Sequence, residues 1–214
     1  MRVISGKKRG KKLIEFAGGD IRPITDMAKA AMFNILFDSI TDSKFLDIYA
    51  GTGAVGIEAI SRGAAHCVFV DSSREAAKII SKNLELTGFS DCAGIIIADC
   101  KAALEKIKGR FHFIFMDPPF FDKIDNEVFE IIQRRDLLIG GGRLILKHYE
   151  KVKPPDCFDK IKLCDSRRYG NSMLSFYSVA VNAEAAVSVS AAAAASAVAS
   201  PCDGEKEKEE EDKK

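Results

Sequence analysis

Two short segments carry residues whose types and spacing could do chemistry, Asp47–Gly56 and Asp117–Phe120. In the first, Asp47-Ile48-Tyr49-Ala50-Gly51-Thr52-Gly53-Ala54-Val55-Gly56, the glycines at 51, 53 and 56 have G-x-G-x-x-G spacing, and Asp71 follows 20 residues after Gly51. Such a turn, placed between a strand and a helix, lets backbone approach a ligand at the helix N-terminus, while the distant acid accepts hydrogen bonds from ribose hydroxyls. A dinucleotide site uses the same spacing. Asp47 argues for another ligand, because a carboxylate at the end of a buried strand repels pyrophosphate and suits an ammonium group. Buried, it needs a cation or donor nearby. Asp99, ending a later strand, could reach an adenine amino group. These points favour S-adenosylmethionine, held by Asp47, Ala50, Gly51, Thr52, Gly53, Asp71 and Asp99, with a nicotinamide dinucleotide as the alternative.

The second segment, Asp117-Pro118-Pro119-Phe120, suits an amine acceptor. Its prolines fix the backbone and remove two N–H donors, leaving carbonyls free to accept. Phe120 can stack on a planar base. An exocyclic amine of guanine or adenine is a poor nucleophile because its lone pair is delocalised into the ring. Accepting its two N–H bonds, from the Asp117 carboxylate and the Pro118 carbonyl, favours a more tetrahedral nitrogen with the lone pair aimed outward. In-line methyl displacement would then draw most of its rate from positioning, with no strong general base.

The elements that must position these segments follow from periodicity. Short apolar runs at Lys44–Tyr49, Cys67–Val70, Ile95–Ala98, Phe111–Met116 and Arg143–Leu146 predict strands covered on both faces. Between them, Val55–Arg62, Arg74–Thr87, Ala102–Lys108 and Asn126–Arg134 have helical spacing. This alternation predicts a parallel sheet with right-handed crossovers. Lys160–Cys164 and Met173–Val179 follow without a helix between them, as an antiparallel hairpin at the sheet edge. Both chemical segments then face one crevice at the carboxyl ends of the strands.

Three regions are expected. Residues 1–40 form a basic N-terminal extension, with a strand pair at Arg2–Ser5 and Lys12–Phe16 and a helix at Asp26–Phe37 capped by Thr25. Residues 41–180 form the α/β domain. Residues 181–214, rich in Ala, then Glu and Lys, lack large apolar side chains and are expected to stay mostly disordered. The formal net charge is +1, yet the first 30 residues hold eight basic and three acidic side chains. That excess could attract a polyanion. Six cysteines show no C-x-x-C pair and three histidines are dispersed, so no metal site is expected. No apolar run approaches bilayer length, and the N-terminus does not read as a secretory signal, so a cytoplasmic enzyme is expected.

With these residues in hand, the chain resembles the bacterial 16S rRNA guanine-N2 methyltransferases of the RsmD family. The resemblance spans about residues 1–180. It rests on Arg2-Val3-Ile4-Ser5-Gly6, Arg22-Pro23-Ile24-Thr25-Asp26, Phe33-Asn34-Ile35-Leu36, Asp47–Gly56 with Glu58-Ala59-Ile60-Ser61-Arg62-Gly63-Ala64, Asp117–Phe120 and Tyr169-Gly170. It implies a class I (Rossmann-like) fold with a seven-stranded, mostly parallel sheet and an antiparallel edge hairpin. S-adenosylmethionine is the implied donor, and a guanine N2 of 16S rRNA in an assembling small ribosomal subunit the implied acceptor. Asp47, Gly51 and Gly53 would line the methionine end, Asp71 the ribose and Asp99 the adenine. The family usually has Glu where Asp71 stands. Related enzymes use Asp or Asn at the position of Asp117, which suggests hydrogen-bond acceptance there. Lys7, Lys8, Arg9, Lys11, Lys12, Arg22 and Tyr169 would contact RNA while base flipping delivers the guanine. Adenine-N6 or protein glutamine-N5 methylation, and a non-enzymatic ribosome assembly factor, are the alternatives.

Overall fold

A computed structural model describes residues 1–16, 24–118 and 124–179. Helix α1 (Asp26–Leu36) precedes the strand–helix alternation, and Thr25 caps it by accepting from the Ala28 amide at 3.2 Å. Then follow β1 (Lys44–Ile48), α2 (Ala54–Ser61), β2 (His66–Asp71), α3 (Arg74–Thr87), β3 (Ala93–Ile97), α4 (Cys100–Lys106), β4 (Phe111–Met116), α5 (Asn126–Arg134) and β5 (Leu138–Tyr149). Three further strands, β6 (Cys157–Phe158), β7 (Ile161–Tyr169) and β8 (Ser172–Val179), complete one sheet in the order β3-β2-β1-β4-β5-β8-β7-β6. Strands β1 to β5 pair in parallel and β6 to β8 antiparallel. The order reverses between β1 and β4, which opens a crevice at their carboxyl ends.

Alternation along the central strands builds a core on each face. Phe45, Phe113, Phe115 and Ile145 pack with residues of α1, α2 and α3. Leu46, Ile48, Ile114, Met116 and Leu146 pack with α4 and α5. Two-sided burial explains why these strands read as unbroken apolar runs. Val3 and Leu13 join the first core, so the N-terminal segment packs into the same body as the sheet.

The sheet departs from the sequence expectation in three places. It has eight strands rather than seven, because Phe158 stacks on Phe129 with ring centroids 4.0 Å apart and draws the two-residue β6 onto the edge. Strand β5 begins five residues earlier than expected, with the Gly140–Gly142 run inside it and a register shift opposite Phe111/Phe113. The N-terminal strand pair reduces to one antiparallel bridge, Arg2 with Lys12. There the amides of Ile4 and Ser5 turn to the Glu58 carboxylate, and that of Ile14 to Asn83.

Those contacts tie the N-terminal segment down. Glu58 and Lys29 are fully buried, 3.2 Å apart, and Glu58 also pairs with Arg62 at 2.8 Å. Lys29 donates to the Arg2 carbonyl at 2.7 Å. Burial pushes the Lys29 ammonium below its usual range while Glu58 pulls it back.

Candidate active site at the carboxyl edge of the sheet

Strand β1 ends at a tight turn into α2, and its geometry accounts for the glycines. Gly53 caps α2 in a left-handed conformation (φ 76°), and a Cβ there would stand 3.2 Å from Ile80. Gly56 serves closeness instead: a Cβ would lie 2.3 Å from the Phe69 ring and 2.5 Å from the Cys67 sulfur, forcing α2 off β2. Tyr49 opens the turn at φ 59°, a conformation that costs an L side chain roughly 1–2 kcal/mol. Its strain at the entrance to the loop is a feature the sequence alone did not reveal.

Two carboxylates brace this loop. Asp47, 1% exposed, accepts from the Gly56 amide at 2.9 Å, the donor that its burial demanded. Asp71 accepts from the Gly51 amide at 2.8 Å and, through its other oxygen, from the Ser73 amide at 2.9 Å. Burial pushes the Asp47 carboxyl well above the usual range, the Gly56 amide opposes this, and the charges of Asp117 and Asp71 add to it. Thr52 is held from behind by Asn83, whose amide donates to its carbonyl at 3.0 Å. Asp99 caps α4, taking the amides of Lys101 and Ala102 at 3.0 and 3.2 Å.

Asp117 and Pro118 continue β4 into the same crevice. Ile48 lies opposite Met116 in the register, so Asp117 stands beside the start of the glycine loop. By alternation Asp117 points to the face that carries Asp47 and α2. Pro119 and Phe120, with Arg22, lie outside the described residues. A residue that sequence reading missed completes the constellation. Lys147 of β5, 4% exposed, donates to both Asp117 oxygens at 2.9 and 2.7 Å. Burial pushes the Asp117 carboxyl up, and the Lys147 ammonium opposes it.

The arrangement brings together Asp47, Ala50, Gly51, Thr52, Gly53, Asp71 and Asp117 at one edge, with Asp99 ending the next strand outward. Tyr169 also belongs to this edge, since Tyr149, Ser172 and Tyr169 align across the ends of β5, β8 and β7. Of the basic residues Lys7, Lys8, Arg9, Lys11 and Lys12, the first two stand away from it. Their turn is fastened to the far end of α2: the Lys7 amide donates to the Ser61 carbonyl at 2.7 Å and the Lys8 amide to the Ser61 hydroxyl at 3.0 Å. Gly6 is required there, because a Cβ would collide with the Ser61 carbonyl oxygen at 1.9 Å.

The residues fit a cationic methyl donor better than a dinucleotide. Three acidic side chains meet at this edge, the charges of Asp71 and Asp117 both bearing on Asp47, which disfavours a pyrophosphate. Beside the loop, a Cβ on Gly51 would meet, among the described residues, only the Phe16 ring, at 3.9 Å.

Comparison with known proteins agrees with this architecture. Residues 1–178 match the family model described as "Conserved hypothetical protein 95". The chain is 32% identical over 180 residues to the Bacillus subtilis (strain 168) protein named "Putative rRNA methyltransferase YlbH", covering 83% of this chain and 98% of that one. It is 32% identical over 157 residues to the ribosomal RNA small subunit methyltransferase D of Haemophilus influenzae, covering 72% and 81% respectively. The solved structure described as "Putative methyltransferase yhhF from Escherichia coli" superposes with a TM-score of 0.76 at 26% identity, over 85% of this chain and 99% of that one. The chain therefore belongs to the Conserved hypothetical protein 95 family, the RsmD family to which its motifs pointed, and has the class I methyltransferase fold.

Proposed function

We propose that this chain transfers a methyl group from S-adenosylmethionine to the exocyclic N2 of a guanine in small-subunit rRNA, acting in the cytoplasm on an assembling subunit. One observation carries the reading: the Asp117 carboxylate, 22% exposed at the end of β4, stands over the crevice beside the glycine loop that Asp47 and Asp71 brace. Relatives named as small subunit rRNA methyltransferases support the choice of RNA.

In this reading Asp47, Ala50, Gly51, Thr52, Gly53, Asp71 and Asp99 hold the donor. Bound there, S-adenosylmethionine supplies a sulfonium-activated methyl carbon to the amine nitrogen, the carbon–sulfur electron pair staying on sulfur. Asp117 and the Pro118 carbonyl accept the two N–H bonds of the amine and aim its lone pair. Pro119 and Phe120 complete the catalytic tetrapeptide, Phe120 stacking on the guanine. The surplus proton leaves to solvent after nitrogen gains its positive charge. Lys7, Lys8, Arg9, Lys11, Lys12 and Arg22 hold RNA phosphates, and Tyr169 contacts RNA at the crevice rim.

Radiolabelled methyl transfer to rRNA from cells lacking this gene, followed by nucleoside identification, tests the proposal. N2-methylguanosine is the expected product. Label in N6-methyladenosine, or in a protein glutamine, would overturn it. Reversing the charges of Lys7, Lys8 and Arg9 should weaken RNA binding and flatten its salt dependence, and an unchanged slope would remove those residues from the interface.

A further inference from the structure

Strands β4 and β5 run in parallel with Met116 opposite Leu146, so the next residues, Asp117 and Lys147, stand side by side at the crevice. The contact is two-pronged, with one ammonium donating to both carboxylate oxygens at 2.9 and 2.7 Å. Lys147 is nearly sealed from solvent, its side chain 5% exposed, whereas that of Asp117 is 22% exposed. A buried ammonium facing a partly open carboxylate is an expensive arrangement unless the pair serves each other. We propose that Lys147 is a positioning residue that holds Asp117 in its charged, hydrogen-bond-accepting form and in a single orientation for the target amine. This role rests on the reading of Asp117 as the amine acceptor.

The surroundings show why such a residue is wanted. Among the described residues, Lys147 from β5 is the charged group that acts on Asp117, while the charges of Asp117 and of Asp71 from β2 both bear on Asp47 from β1. Burial favours a neutral Asp117. A protonated Asp117 would present an O–H donor where an acceptor is needed. That donor would bind the amine's lone pair, the very electrons that must attack the methyl carbon. Lys147 opposes this while leaving the carboxylate's remaining lone pairs to receive N–H bonds.

The experiment has two arms on the full-length protein. In the first, the Asp117 carboxyl carbon is followed by NMR against pH, without RNA, in the unmodified protein, Lys147→Met and Lys147→Arg. Its midpoint should rise by about one pH unit or more in Lys147→Met, a tenfold change in acid constant, and stay near the original in Lys147→Arg. An unmoved midpoint in Lys147→Met would overturn the proposal. In the second arm, the acid limb of kcat for methyl transfer should move by the same amount in Lys147→Met, with the KM for donor within about twofold. Asp117→Asn should lack that limb, and adding Lys147→Met to it should produce no pH shift. If Lys147→Met does not fold, Asp117→Asn still decides, because an acid limb persisting there would assign the titration to another group. If the unmodified protein methylates no RNA, the proposed function fails while the first arm still judges Lys147.

Discussion

Two buried lysine–carboxylate pairs on this chain have the same chemistry and opposite consequences. At the root of the N-terminal segment, Lys29 and Glu58 are both sealed from solvent, and Glu58 receives Lys29, Arg62 and the amides of Ile4 and Ser5. Glu58 is 0% exposed and both of its oxygens are already engaged, so its carboxylate has no open side for a ligand. At the crevice, Lys147 is the only side chain among the described residues that hydrogen-bonds Asp117, and the carboxylate keeps an open side. Saturation separates a fastening from a working site, whereas burial of the charges alone does not.

The comparison can be broken by truncating each acid in turn. Asp117→Ala should reduce methyl transfer by on the order of 10²–10³-fold, with donor affinity within a few-fold, and should also cost stability because Lys147 loses its carboxylate while nearly sealed from solvent. A large loss of donor binding would instead make Asp117 part of the cofactor pocket. Glu58→Ala should leave methyl transfer by the folded protein within a few-fold while costing about 3–5 kcal/mol in urea denaturation, because Lys29 is left buried without its carboxylate. Lys29→Met should cost less, about 1–3 kcal/mol, since Glu58 keeps Arg62 and two amides while the Arg2 carbonyl loses its donor. Any movement of the acid limb of kcat in Lys29→Met would erase the distinction between it and Lys147.

The smallest effect concerns His148, the residue after Lys147, on the opposite face of the sheet. It is 5% exposed, its Nε2 lies 2.8 Å from the Ser175 hydroxyl, and burial holds its imidazole below the ordinary value of 6.5. The unfolded chain therefore binds a proton that the folded one refuses as pH falls below 6.5. Stability should decline there by at most about 1.4 kcal/mol per pH unit from this group, a slope that His148→Gln should remove. A slope unchanged by the substitution would assign the acid loss elsewhere.

Much of the scaffold was legible because period and capping agreed. Strand β4, α3 and α5 have the boundaries that their apolar spacing predicts, Phe111–Met116, Arg74–Thr87 and Asn126–Arg134. Thr25 caps α1 as its position suggested. The glycine loop was legible because its spacing encodes both a turn and a close helix–strand approach. Lys147 was not, because its meaning lies in the register of β4 against β5, 30 residues apart in the chain. A lone lysine at the end of Leu144–Leu146 hinted at a buried partner but could not name it. Glu58 was read only as part of a shared motif, since the amides it receives arrive from residues 53 and 54 positions away. The position of the basic turn was not legible for the same reason: charge clustering gives no direction, and only the folded chain shows Gly6 and Lys7 against Ser61 at the end of α2.

Helix α2 thus acts as a ruler. One end starts at the glycine loop and the other receives the lysine-rich turn, and its eight residues span about 12 Å. Any polyanion gripped by that turn is held at a fixed offset from the crevice. A single nucleoside is too short to touch both ends at once. In the proposed reaction the footprint would therefore extend past the reacting base, by a distance that the length of one short helix sets.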